Sequence, residues 1–204
     1  MTSAEIKLSK FLENGIEFSC QMCGDCCRGF KEGEVYLYKE DIVRLANHLS
    51  LKGEKGLRSF AKQYLKVIKD NFFWRSPEET KGKTYKFHTL GFKFTGDDEH
   101  CHFLVNNICT VHEVRPFQCR CFPFWKMMVT NKKNLVRYSK KCPGLRLLKG
   151  KFYTRSEILE WARKEYKIEK EYFLEMKKHN FEIAKVYPFL PKEMIENAKK
   201  DLNK

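Results

Sequence analysis

Four thiols fall within eight residues at Cys20-Gln21-Met22-Cys23-Gly24-Asp25-Cys26-Cys27, and no other feature constrains this chain as tightly. Two-residue gaps followed by none give a density of soft ligands that suits zinc or iron–sulfur centres. Five more cysteines follow at Cys101, Cys109, Cys119, Cys121 and Cys142, and residues 28–100 hold none. Structural cysteines scatter through a core; these cluster. The expectation is a metal cage drawn from both groups.

A disulfide framework is the rival reading. It needs an oxidising compartment, and nine cysteines leave one over. Residues 1–15 lack the basic and apolar regions of a signal peptide. No run of about 18 apolar residues suggests a membrane span. Reducing cytoplasm is therefore the expected setting, where thiols stay free for metal.

The 204 residues are 42% hydrophobic and 14% aromatic, enough for one domain with a real core. The net charge is +14, and residues 101–150 alone carry +9 of it. That excess travels with five cysteines. Cationic surroundings lower thiol pKa and stabilise anionic thiolate centres, so the charge reads as internal compensation. A nucleic-acid surface is not expected, although a basic balance alone would invite one.

Local patterns predict an α+β fold: a single small domain with an irregular cysteine-rich core and short strands, flanked by helices. Residues 1–150 are expected to form the cysteine domain, with 151–204 a helical extension packed on it. Ala4–Asn14 carries a rough helical stripe closed by Gly15. Val35–Tyr38 reads as a strand, and Lys39-Glu40-Asp41 as the acidic start of a helix. Gly56–Phe73 reads as a second helix, and Tyr85–Phe94 as a strand or hairpin. Asn106-Asn107 predicts a hairpin turn with Cys101 and Cys109 on its arms. Lys126–Tyr138 suggests two short strands, and Cys142-Pro143-Gly144 a turn. Thr154–His179 is a helix opened by a Thr154/Glu157 capping box. Pro188 and Pro191 interrupt the chain beyond that helix, before a short polar helix.

Cys20-x2-Cys23-x2-Cys26 is the spacing of the first three ligands of a bacterial ferredoxin-type cluster. The fourth cysteine of that motif is missing, since Phe30 and Lys31 stand there. A fourth ligand must come from Cys27 or from the second group. Zinc fits as well, through a tetrahedral all-cysteine site. Adjacent Cys26 and Cys27 point different ways and cannot easily close on one small ion. Two neighbouring metals, or one metal and a free thiol, suit them better.

The motif F-x-C-x2-C-x2-C-C-R is Phe18, Cys20, Cys23, Cys26, Cys27 and Arg28. Downstream come Cys101, Cys109, His112, Arg115, Pro116, Cys119, Arg120, Phe122, Pro123 and Phe124, then Cys142-x-Gly144. Together these resemble the YkgJ-type cysteine-cluster family, the CxxCxxCC zinc- or iron-chelating proteins, over residues 16–145. The resemblance implies cage roles for Cys20, Cys23, Cys26, Cys27, Cys101, Cys109, Cys119 and Cys142. It leaves Cys121 outside. The flagellin lysine N-methylases share this cysteine region, and the resemblance implies an iron–sulfur cluster. Those enzymes are longer, and this chain has no counterpart to their extra region.

Arg115 and Arg120 flank cage cysteines and are expected to face thiolates or an anionic ligand. His112 could ligate metal or end a hairpin; His100 and His102 read as exposed loop residues. Asp25 reads as a loop cap. Phe117, Phe122, Phe124 and Trp125 read as a core wall that would keep water from a cluster. Two functions remain open. One is an iron–sulfur protein for redox or group-transfer chemistry, of which a reaction like protein-lysine methylation is one form. The other is a structural zinc module that binds a protein partner without catalysis.

Overall fold

A ten-residue antiparallel pairing organises the middle of the chain, between β3 (Leu65–Trp74) and β4 (Lys83–Phe92), from Leu65↔Phe92 to Trp74↔Lys83. The computed structural model describes residues 6–31, 33–147 and 149–202. Its α+β architecture sets small sheets among helices. β1 (Ile16–Phe18) precedes the first cysteines, and β2 (Tyr36–Leu37) adds to the other edge of β4. α1 (Lys39–His48) and α2 (Gly53–Tyr64) cover the β2–β4–β3 sheet.

The helix expected over Gly56–Phe73 thus stops at Tyr64 and the chain turns into a strand. Val67, Ile68, Phe72, Phe73 and Trp74 supply the β-branched and aromatic residues that pack well on a pleated surface. Ten residues of ladder outweigh the weak helical stripe. The expected helix at Ala4–Asn14 also fails; its first two residues lie outside those described. Ile6 and Leu8 are buried on either side of exposed Lys7, the alternation of extended chain. Only Lys10–Leu12 makes a short 3-10 turn before Gly15.

Small elements carry the second cysteine group. β5 (Phe94–Thr95) pairs with β6 (His100–Cys101), and β7 (Leu104–Val105) with β8 (Ile108–Cys109). The hairpin turn is the expected one: Asn106 and Asn107 have φ of +50° and +62°, as a type I′ turn requires. α3 (Phe117–Cys121) follows Pro116, and the Phe122–Pro123 peptide is cis.

Residues 126–141 are helical, where two strands were expected. α4 (Lys126–Val129) and α5 (Lys132–Lys141) meet at Asn131, whose side chain accepts from Lys133 N at 2.9 Å and caps α5. A side-chain cap decides what a turn-like Asn-Lys-Lys-Asn string leaves open. Pro143 opens α6 (Pro143–Leu147) rather than a simple turn, using the one helical position that tolerates proline without loss.

β9 (Lys151–Tyr153) returns to pair with β1. α7 (Arg155–Lys178) then forms as expected. Glu157 N donates to Thr154 Oγ1 at 3.3 Å, and Thr154 N donates to Glu157 Oε2 at 2.8 Å. α8 (Ile183–Val186) and α9 (Lys192–Leu202) end the chain on either side of the prolines.

Two apolar clusters result. One gathers the inner face of the sheet, α1, α2 and the chain end, around Phe60, Phe92, Phe173 and Tyr187. The other gathers the N-terminal segment and residues 117–162, around Leu12, Phe124, Met128 and Ile158. α7 joins them: Ile158, Leu159 and Ala162 belong to the second, Tyr172, Phe173 and Met176 to the first, and Tyr166 packs against both. Burying a residue such as Phe173 stabilises by about 2–3 kcal/mol. Among the described residues, no helix is long and apolar enough to cross a membrane.

Candidate metal centre

The Cys20–Cys27 segment is shaped by glycine. Gly24 has φ of +80°, and a Cβ there would lie 2.6 Å from Arg28 Nη1. Cys27 N then donates to Gly24 O at 3.0 Å, and Arg28 N to Asp25 O at 3.1 Å, closing a tight turn. Arg28 fastens this turn to the second cysteine group. Its Nε donates to Asp98 Oδ2 at 2.8 Å and its Nη2 to Asn107 Oδ1 at 3.0 Å, in the loops beside Cys101 and Cys109. Arg28 and His100 together hold Asp98 down to about 2.

Helix α1 fixes the third piece. Asp41, 2% exposed, accepts from Arg44 Nη2 at 2.6 Å and from Phe117 N at 2.9 Å. Arg44 also donates to the backbone oxygens of Val114 and Arg115 at 3.3 and 3.0 Å. The Arg-Pro segment and the start of α3, with Cys119 two residues on, are thereby held to α1. Burial raises the Asp41 pKa against the pull of Arg44 and Phe117 N.

Gly144 brings in the last piece. A Cβ there would lie 2.3 Å from Ser19 O and 3.0 Å from the Phe18 ring, so the turn after Cys142 can lie against the strand leading into Cys20 only without a side chain. Gly144→Ala should destabilise by about 2 kcal/mol through forced backbone movement. Chemical denaturation measures this, and an unchanged midpoint would refute the close approach.

Seven of the eight cysteines expected to form a cage line one cavity of about 70 Å³: Cys20, Cys23, Cys26, Cys27, Cys109, Cys119 and Cys142. His112, Arg115, Phe18 and Phe122 line it too. Cys101 is outside this lining but close enough to feel the charges of Cys26 and Cys109. Cys27 stands between the groups, its thiol beside those of Cys109 and Cys26. The interaction among the three pulls Cys109 down to about 6 and lowers Cys26, and pushes Cys27 itself far up. Burial raises Cys23 to about 11 and Cys101 to about 12, and also raises Cys119 and Cys142. The Arg115 guanidinium lowers Cys26 and Cys109.

The two adjacent cysteines face different cores. Cys27 packs with Cys101, Cys109 and Cys119 against the first cluster, and Cys26 with Cys142 against the second. Cys20 and Cys23 lie near Cys142. The cavity thus sits on the seam between the clusters. Cys26 and Cys119 also line a larger cavity of about 500 Å³.

The donor set fits a thiophilic metal. His112 adds to that fit: its Nε2 is buried with no hydrogen-bond partner, while its Nδ1 is 3.5 Å from Glu113 Oε1. Among the described residues, no three His, Cys, Asp or Glu side chains stand close enough together to hold an ion in the rotamers seen.

The remaining expected site residues fall in several places. Arg120 is not in the lining; its guanidinium lies over the Phe117 ring at 5.8 Å, and its Nε is buried without a partner. Cys121 is fully buried and turned to α7, with Sγ 3.8 Å from Trp161 O. His100 bonds Asp98, and exposed His102 packs edge-on to Tyr64. Asp25 lies beside the Cys23 thiol. Much of the basic excess of residues 101–150 lies on the exposed face of α5, at Lys132, Lys133, Arg137 and Lys140; Arg115 is its member at the sulfurs. Sequence reasoning missed Arg28 as a clamp and missed the larger cavity altogether.

The family model described as "Putative zinc- or iron-chelating domain" matches residues 19–143. The chain belongs to the CxxCxxCC family. That match begins at the residue before Cys20 and ends just after Cys142, so it takes in every residue of the cavity lining except Phe18. An uncharacterized protein of Methanocaldococcus jannaschii is 26% identical over 157 residues, covering 74% of this chain and 70% of that protein. No solved structure matches the chain.

Proposed function

We propose that the eight cysteines hold an iron–sulfur centre used for redox or group-transfer chemistry. The observation that carries this reading is the shared wall: Cys26 and Cys119 line both the thiol cavity and a neighbouring cavity of about 500 Å³. A metal that only braces a fold has no need of a ligand-sized space at its edge. When bound, the centre would supply an electron store beside that space. Cys20, Cys23, Cys26 and Cys142 would hold it from one side, and Cys27, Cys101, Cys109 and Cys119 from the other. Arg115 would offset thiolate charge, and Phe18 and Phe122 would exclude water. Arg120 would act at longer range, through Cys119. The chain would work in cytoplasm, with a small molecule or a protein as substrate and no need of nucleic acid or membrane.

The four-and-four division favours a second reading, two structural zinc ions in tetrahedral sites and a non-catalytic adaptor. One experiment separates them. Anaerobically purified protein from iron-supplied cells should be brown, carry iron and bleach on reduction. Colourless protein with stoichiometric zinc would overturn the iron–sulfur reading.

A further inference from the structure

The core-facing stripe of α7 runs Ile158, Ala162, Glu165, Glu169, Tyr172 and Met176, at helical spacings of four and three. Two carboxylates occupy positions that the pattern reserves for apolar side chains, and charged groups are rarely buried without partners. Both line the 500 Å³ cavity, where Asp70 of β3 joins them. Among the described residues, Glu169 has no hydrogen-bond or ion-pair partner. Glu165 accepts from the backbone of Lys126, and Asp70 from Asn71 N at 2.7 Å.

Charge in this cavity is unbalanced. A fourth acid in the lining, Glu34, pairs through Oε1 with Lys66 at 2.8 Å, but its Oε2 is buried without a partner. Lys126 is the only cationic residue among the described lining residues, and its Nζ lies 4.5 Å from the Tyr166 ring. Burial, then repulsion from Glu169, raises Glu165 to about 8, and burial, then repulsion from Asp70, raises Glu169 to about 7. A cation placed among these carboxylates would relieve both effects.

The rest of the wall suits an organic cation. Tyr36, Tyr38, Phe72 and Trp125 line the same space, and aromatic faces attract ammonium groups. The three acids come from two elements, β3 and α7, and stand apart along the cavity wall in the rotamers seen. Three separated carboxylates call for more than one positive centre on a single ligand. The volume matches a small-molecule site.

We propose that this cavity binds a small aliphatic polyamine, a linear diamine or triamine, beside the thiol cluster. Its ammonium groups pair with Asp70, Glu165 and Glu169, and its methylene chain lies on the aromatic wall. The proposal holds whichever metal the thiols carry.

The test is calorimetric titration of the full-length protein, as purified, with cadaverine and spermidine. Neutral 1,5-pentanediol, glutarate and magnesium chloride are the controls. Saturable binding of at least one amine is expected, with none of the controls competing. Glu169→Gln and Asp70→Asn, which keep side-chain shape, should each weaken amine binding by about tenfold. Metal content measured on the same samples should stay unchanged in both variants. Failure of both amines to saturate would overturn the proposal. So would equal binding of pentanediol, displacement by magnesium, or unaltered amine affinity in both variants. If one variant does not fold, the wild-type titration and the other variant still decide the matter. Wild-type protein that binds amine but carries no metal would count against the metal reading alone.

Discussion

Cys27→Ser is expected to strip bound metal and to lower the thermal midpoint by about ten degrees. Cys27 is the first-group thiol that stands beside Cys109 of β8 as well as its own neighbour Cys26. Metal binding energy at such a site is folding energy, so losing one ligand should cost several kcal/mol. For a chain of this size each kcal/mol moves the midpoint by about 2–4 °C. Cys121→Ser is the control. Its sulfur faces Trp161 O and α7, away from the cavity, so the midpoint should fall by only a few degrees with metal retained. Metal analysis after chelator challenge, with thermal melts, measures both. Full metal retention by Cys27→Ser, or metal loss by Cys121→Ser, would reverse the assignment.

Asp41→Ala should destabilise by about 2–4 kcal/mol and speed metal loss to a chelator. The Asp41–Arg44 pair need not stabilise in net terms, because burial raises the carboxyl pKa despite Arg44. Removing the carboxylate alone is a different matter. It leaves the buried Phe117 N without an acceptor and takes from Arg44 Nη2 one of its two, Arg115 O remaining. It also loosens the segment that carries Arg115 and Cys119 toward the sulfurs. The effect therefore reaches the metal centre although Asp41 does not line it. A variant of lowered stability but unaltered chelator kinetics would show that α1 supports the core and not the centre.

How much of this was legible depended on the kind of signal. Thiol spacing pointed to a shared space because it is written residue by residue, and seven of the eight cysteines expected in a cage line one cavity. The Thr154/Glu157 box and the Asn106-Asn107 turn were legible because each acts within four residues. Gly56–Phe73 was misread because its second half gains its stability from β4, 20 or so positions away, which periodicity in one window does not contain. Residues 126–138 were misread because a cap at Asn131 outweighs turn-like composition. The acids of α7 had a readable sign, Glu165 and Glu169 standing in an otherwise apolar stripe, but their partner Asp70 comes from a strand read as helix. Arg28 showed no sign of its partners, Asp98 and Asn107, because loops bring them together.

The peptide bond between Cys26 and Cys27 joins residues that belong to opposite cores. A ligand gripped by both side chains would make the unfolding of one half felt by the other. Cooperativity in this chain is then set by occupancy as well as by α7. The loaded protein would melt as one unit, and the stripped protein would let its sheet-bearing half and its helical half come apart in separate steps. Metal supply would in this way choose between a single all-or-none molecule and two loosely tethered ones.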